Sequence, residues 1–409
     1  MGDYRIICPQ CKKEFSGYAL SCECFSLLRT EYSNSLNIQA LPGLWRFLDW
    51  LPCKKPLDTQ AGSVTFRSSK LAKELGLKNL FIAFTGYWPE KRAYNLTGSF
   101  KDLESNPTIA RAQESGIKAL AIASAGNTAR AFAHLANKTG FDVYLVVPKS
   151  CLDKLWTPEP STSNVHLFTV DGDYCSTIEV TAQFCQVNGI TPEGGAKNVA
   201  RRDGMGTVML DGAFTVKRLP DHYFQAIGSG TGAISCWEMA DRLKANGWKG
   251  NPALHLSQNH PFIPIVKAWQ AGRREILPED MVDPEESIRK MHAVVLSNRH
   301  PPYAIGGGVY DALTDTQGKM YSVNNAEAQK AGKLFEALEE IDLVPAAEVV
   351  VASLLQAVEA GTINKTDHIL LNVTGGGLKR LKEDFGFFEI EPEGTLSFDN
   401  CSLNPNNVY

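Results

Sequence analysis

YNLTGSFKD, residues 94–102, is the stretch on which the reading of this chain turns. Its lysine, Lys101, directly follows a Gly-Ser-Phe turn, where a lysine is ordinarily a solvated surface charge. The surroundings argue for something else. Upstream, the helically spaced SSKLAKELGL (68–77) leads into a short apolar strand, KNLFIAF (78–84). Downstream, PTIARAQESGI (107–117) reads as a helix, KALAIAS (118–124) as a strand, GNTARAFAHLANKTG (126–140) as a helix and DVYLVVP (142–148) as a strand. VHLFTVDG (165–172) and DYCSTIEVTAQFCQVNG (173–189) continue the alternation. HYFQAIGSGTGAISCWEMADRLKANG (222–247) and HILLNVTGGGLKRL (368–381) each add a glycine turn between strand and helix. Short apolar strands alternating with longer helices predict an α/β fold with parallel sheets covered on both faces. The polar span 270–345, containing PPYAIGGGVYDAL, fits the alternation less well and is a candidate substrate-side segment.

Three of the turns have the makings of a site. GSGTGA (228–233) follows a strand and opens a helix, so its backbone N–H groups face any anion placed there, with the helix N-terminus adding favourable potential. A dinucleotide site would need an acidic residue about 20 positions on. The region there, RLKANGWKGNPALHL, has none, and no Gly-Lys-Ser/Thr is present for a nucleoside triphosphate. A cradle for a single phosphate fits better, with a plain tight turn as the alternative. SAGNTA (124–129) offers Asn127, Ser124, Thr128 and loop N–H groups to a carboxylate; helix capping by Asn127 explains it equally well. NVTGGGLKRL (372–381) sets Thr374 at a strand end, where a ring lying across the sheet would meet its hydroxyl.

A lysine, an asparagine loop, a glycine phosphate cradle and a strand-end threonine, in that order over residues 62–381, resemble the fold-type II pyridoxal-phosphate enzymes, and TGSFKD most resembles the threonine synthases among them. The resemblance implies a tryptophan synthase β-like fold of two doubly wound domains with the cofactor between them. It implies that Lys101 forms the Schiff base with pyridoxal 5'-phosphate and later shuttles the α-proton. It implies too that Asn127 meets the ring oxygen, that Gly228, Ser229, Gly230, Thr231 and Gly232 hold the phosphate, and that Thr374 faces the pyridine nitrogen. A neutral hydroxyl at that nitrogen leaves the ring largely unprotonated, which suits elimination and replacement more than transamination. The expected domains are a Cys-rich segment (1–61), a large domain (62–104 and 199–390), a small mobile domain carrying the asparagine loop (105–198) and a C-terminal tail (391–409).

The chain departs from the threonine synthase pattern around the expected substrate pocket. Leu96 stands for a proline, Leu103 for an arginine, SVTFRS (63–68) for the entry segment, and Arg130 follows the asparagine loop. Taken whole, the sequence is more similar to the cysteate synthases of methanogenic archaea. That family joins O-phospho-L-serine and sulfite into L-cysteate and phosphate, towards coenzyme M. Threonine synthase, acting on O-phospho-L-homoserine and water, is the alternative. Two anionic substrates call for positive charge. Arg130 is the first candidate, then Lys197, Arg201 and Arg202 of GGAKNVARRDG (194–204), with Ser124, Ala125, Gly126 and Thr128 completing the substrate loop. The resemblance also implies a homo-oligomer.

Composition narrows the partners. The net charge of −4 gives no reason to expect nucleic acid, and no apolar run is long enough to span a bilayer. MGDYRIICPQC lacks the apolar core of a secretion signal, so a cytoplasmic protein is expected, and its ten cysteines read as thiols or metal ligands rather than disulfides. CPQCKKEFSGYALSCEC places Cys8, Cys11, Cys22 and Cys24 at a spacing suited to structural zinc; reduced thiols in a small appended subdomain are the alternative. A zinc-ribbon protein with a degenerate, non-catalytic α/β body is the remaining reading, and the colour of a bound cofactor separates it from an enzyme.

Overall fold

The computed structural model describes residues 4–403. Two sheets organise it, and both are of the predicted kind. The larger has six strands in the order Lys319–Val323, Ala253–Asn259, His222–Ala226, His368–Val373, Asn79–Phe84 and Val64–Arg67. All neighbours are parallel except the last pair, which is antiparallel. The smaller has five parallel strands, Thr191–Pro192, Ala119–Ala123, Asp142–Pro148, Val165–Val170 and Gly394–Leu396. Strands such as HILLNV are buried along nearly their whole length because helices cover both faces, which is why they read as apolar runs rather than alternating ones. Separate apolar clusters fill the two faces of each sheet, as double winding requires. No helix among the described residues is long and apolar enough to cross a membrane.

One expectation needs adjustment. The helix expected from Pro107 begins at Lys101 and runs to Glu114, with Pro107 inside it. Proline leaves the Leu103 carbonyl without its helical partner. Gly204 of the neighbouring helix Val199–Val216 packs against that carbonyl so closely that a Cβ on it would lie 2.0 Å from the oxygen. The C-terminal tail supplies Gly394–Leu396, an edge strand of the smaller sheet beside Val165–Val170. The N-terminal segment packs against the rest of the chain. Strands Tyr4–Ile7, Glu14–Phe15 and Arg29–Tyr32 form a small antiparallel sheet, after which Leu44, Trp45, Phe47 and Trp50 enter an apolar cluster on one face of the larger sheet. Asn95, part of a nominal glycosylation triplet, is fully buried and bonds both backbone groups of Gly62 at 3.0 and 2.8 Å.

Candidate active site

The carboxyl ends of strands from both sheets open on one cavity of about 730 Å³. Ala119–Ala123 delivers Ser124–Thr128, His222–Ala226 delivers Gly228–Gly232, His368–Val373 delivers Thr374 and Thr191–Pro192 delivers Glu193–Lys197, all on its lining. Ligands of open parallel sheets bind at such strand ends. Lys101, from the helix start, faces the same space.

The TGSFKD and TGGG stretches are stitched to each other. Phe100 N–H donates to Thr374 O at 3.0 Å, Gly376 N–H donates to Gly98 O at 3.1 Å, and Ser99 pairs antiparallel with Gly375. Within the first turn, the Thr97 hydroxyl donates to Asp102 Oδ1 at 2.6 Å and its N–H to Oδ2 at 3.1 Å. Gly98 has φ +66°, and any Cβ there would lie 2.3 Å from Leu378 Cδ2. The result is a fixed helix entry that aims Lys101 into the cavity.

The glycine loop is equally constrained. Gly230 has φ +80° and stands immediately before the helix Thr231–Ala245. A Cβ on Gly228 would come within 2.9 Å of Leu296, on Gly230 within 2.3 Å of Val309, and on Gly232 within 2.5 Å of Gln225. Protein thus backs the loop closely, and only glycine lets it lie flat at the helix N-terminus, where backbone N–H groups attract an anion. Ser229 and Thr231 hydroxyls sit 2.9 Å apart on the same turn. Asn127 is not the cap of its helix. Gly126 holds that position, at φ +136°, and the Ser124 hydroxyl accepts from Gly126 and Ala129 N–H at 3.1 and 3.0 Å.

A group absent from the sequence reading dominates the electrostatics. Glu104, with no exposed surface on its side chain, lies 3.0 Å from Lys101 Nζ and 3.1 Å from Arg201 Nη2. Arg201 also meets Glu193, Nε donating to Oε1 at 2.9 Å. Burial lowers the Lys101 pKa, opposed by the Glu104 charge and assisted by Arg201. Burial works against ionising Glu104, but Arg201 and Lys101 outweigh it and hold the carboxyl below its usual range. Glu193 is raised, by burial first and by the Glu104 charge, in spite of Arg201. The signal for Glu104 was its i, i+3 spacing from Lys101, visible only once the helix is known to start at Lys101.

The other expected cations separate. Arg201 and Lys197 line the cavity; Arg130 and Arg202 do not. Arg130 is buried, donating to Asn127 Oδ1 at 2.9 Å and to Thr97 O at 3.1 Å, and burial lowers its pKa to about 10. Arg202 is fully buried, pairing with Glu238 at 3.0 Å and bonding the carbonyls of Ala196 and Leu28. Lys197 is exposed, and among the described residues its ammonium has no ion-pair partner. Residues 295–298, 300–302, 304 and 305, from the segment that fitted the alternation poorly, form a further part of the lining.

Comparison with known proteins gives the same outline. The family model described as "Pyridoxal-phosphate dependent enzyme" matches residues 64–375. A cysteate synthase of Methanosarcina acetivorans is 54% identical over 411 aligned positions, covering 98% of this chain and 99% of the relative. One from Methanoculleus marisnigri is 54% identical over 396 positions, covering 95% and 92%. Among solved structures, maize serine racemase superposes with a TM-score of 0.58 at 17% identity, over 79% of this chain and 91% of its own, a likeness of fold.

Proposed function

We infer the function from the premise that the chain belongs to the pyridoxal-phosphate dependent enzymes and, within them, to the cysteate synthases. It is a transferase that joins O-phospho-L-serine and sulfite into L-cysteate and phosphate by replacement at Cβ. The carrying observation is agreement along nearly the whole length with several such synthases; the threonine synthase alternative is not favoured.

The cavity fits the cofactor. The glycine loop is a cradle that any Cβ would disrupt, it stands at the N-terminus of a 15-residue helix, and Lys101 and Thr374 face the same space. Gly228, Ser229, Gly230, Thr231 and Gly232 would hold its phosphate, Lys101 its aldehyde carbon, Asn127 its ring oxygen and Thr374 its ring nitrogen. Bound there, pyridoxal phosphate supplies an electron sink that makes the Cα–H bond of the amino acid breakable.

The chain's own residues do the rest. Lys101 Nζ takes the proton from Cα and returns it there at the end. Glu104 Oε2, at 3.0 Å, holds the resulting ammonium in place and supplies its counter-charge. At Cβ the bond to the phosphate oxygen breaks, the electron pair leaving with phosphate, and a sulfite lone pair forms the new C–S bond. Lys197, whose ammonium has no ion-pair partner among the described residues, supports binding of the departing and entering anions. Arg201 instead pairs with both Glu104 and Glu193, and with Lys101 the buried cluster of two cations and two carboxylates carries no net charge when all four are ionised. Leu20, Leu27, Leu296 and Ile305 line the cavity and limit water as a competing nucleophile. The composition supports a cytoplasmic setting, and the reaction's place towards coenzyme M follows from the same family reading.

The test is product identity. Holoenzyme given O-phospho-L-serine and sulfite should release phosphate and form cysteate one for one. Threonine from O-phospho-L-homoserine, with phosphoserine untouched, would overturn the assignment.

A further inference from the structure

The four N-terminal cysteines form a cluster that the reaction does not use. Cys8, Cys11, Cys22 and Cys24 are free thiols whose sulfurs all lie within 4.8 Å of one another, with Cys11–Cys22 at 3.6 Å and Cys22–Cys24 at 3.4 Å. A tetrahedron of thiolates about 2.3 Å from a metal has sulfur–sulfur edges of about 3.8 Å. The sulfurs are therefore spaced for one four-coordinate ion and too far apart for disulfides.

The backbone is shaped for the same purpose. After each cysteine pair the chain turns back through a left-handed residue, Lys12 at φ +63° and Phe25 at φ +52°. Lys12 N–H donates to Cys8 O at 2.9 Å and Phe25 N–H to Cys22 O at 3.1 Å. Glycine would adopt this conformation freely; these residues do not. Phe25 is 83% exposed, so packing of its ring does not explain its backbone, whereas closure of the turn around its cysteine pair does.

What lies between and beyond the ligands reaches the active site. In the loop joining the two pairs, Arg111 Nη2 donates to Gly17 O at 2.9 Å and Asn198 Nδ2 donates to the Tyr18 hydroxyl at 2.9 Å. Leu20 packs so closely on Gly194 that a Cβ there would lie 2.5 Å from its Cδ2. Leu20 and Ser21 both line the cavity. After the last ligand, Leu27 N–H donates to Gly306 O at 2.8 Å and Gly306 N–H to Phe25 O at 3.2 Å, and Leu27 lines the cavity as well.

We propose that Cys8, Cys11, Cys22 and Cys24 bind one zinc ion in a closed tetrathiolate site, and that this ion anchors the substrate-side wall of the active-site cavity. The ion fixes the loop 17–21 against Glu193–Asn198, the segment carrying Lys197, and fixes residues 25–27 against Gly306. Four protein sulfurs complete its coordination, leaving no open position for substrate, so its role is positional. The second part of this inference rests on the cysteate synthase reading; the first does not.

The test uses the full-length holoenzyme. Elemental analysis should give one zinc per chain, and cobalt substitution should give the thiolate charge-transfer absorption of a tetrahedral tetrathiolate site. Stripping the metal with a mercurial and chelator should leave the cofactor's visible absorbance in place while raising the KM for phosphoserine about tenfold or more, with a smaller change in kcat. Amide exchange should quicken at residues 17–21 and 193–198 but not in the helix 231–245, and zinc should reverse all of this. Should stripping unfold the chain, Leu20→Ala provides the second route: zinc and cofactor retained, KM raised several-fold. Substoichiometric metal with four freely titrating thiols would overturn the site. Zinc-independent KM and exchange, or an unchanged KM in Leu20→Ala, would overturn the anchoring. Absence of phosphoserine turnover in zinc-loaded protein would refute the functional reading separately, since metal content and exchange are read without turnover.

Discussion

The two walls of the cavity are built on opposite principles. The wall from the larger sheet, Gly228–Gly232 and Thr374, works through backbone and small hydroxyls, and every glycine in it is backed by protein within 3 Å of where a Cβ would stand. The wall from the smaller sheet and its continuation, Ser124–Thr128 and Glu193–Arg201, carries the charges of Glu193, Lys197 and Arg201, and most of that charge is already paired. Arg201 is shared between Glu104 and Glu193, while Arg130 and Arg202 stand behind the lining, Arg130 holding Asn127 and Arg202 holding Glu238 and the Ala196 carbonyl. A backbone site depends on what residues lack, and an ionic site on who their neighbours are. Lys101 stands where the walls meet, with Glu104 behind it.

Replacing Lys101 should have the largest effect, because it is the one residue serving both walls. Lys101→Ala should lower kcat/KM about 10⁴-fold or more, removing nucleophile and base together, as phosphate release will measure. A tenfold loss would mean that another base moves the Cα proton. Arg201→Met comes next and sharpens the contrast between structural and substrate-binding charge. It leaves the buried Glu193 without its ion-pair partner and Glu104 with Lys101 alone, so urea unfolding should show a loss of about 3–5 kcal/mol. Unchanged stability with a raised KM would instead make Arg201 an anion-binding residue.

Gly230→Ala probes the neutral wall. With φ +80° and Val309 2.3 Å from the new Cβ, the loop must shift, and cofactor affinity should weaken about 10- to 100-fold by equilibrium titration. An unaltered affinity would show that the cradle does not depend on its flatness. Lys197→Ala should have the smallest effect, raising KM for both anions about 3- to 10-fold with stability unchanged, since an exposed charge is screened by solvent. The KM of the unmodified enzyme should rise with ionic strength, and the variant should lose much of that dependence. If the two slopes coincide, the free cation lies elsewhere.

The same division decides how much the sequence disclosed. Strand-end glycines and Thr374 were legible because their neighbours in sequence are their neighbours in space: an apolar strand before, a helix after. Lys101 was legible through its turn, although the reason, stitching of Gly98–Phe100 onto Thr374–Gly376, spans more than 270 residues and needed coordinates. Glu104 was hidden by Pro107, which argues for a helix start six residues too late. The arginines of GGAKNVARRDG looked alike in sequence; helix rotation sends Arg201 into the cavity and Arg202 to Glu238 and the Leu28 carbonyl. Gly394–Leu396 is too short for any periodicity to show, and the lining contributed by residues 295–305 is mostly irregular, with a single short 3₁₀ turn at Val294–Leu296.

We propose that one cavity holds the cofactor on Lys101. The direct measurement is borohydride reduction of the holoenzyme followed by peptide mass mapping. A single adduct with the mass of the reduced cofactor is expected on the peptide containing Lys101, and none on Lys197 or any other lysine. An adduct on a different lysine, or none on a coloured protein, would contradict it.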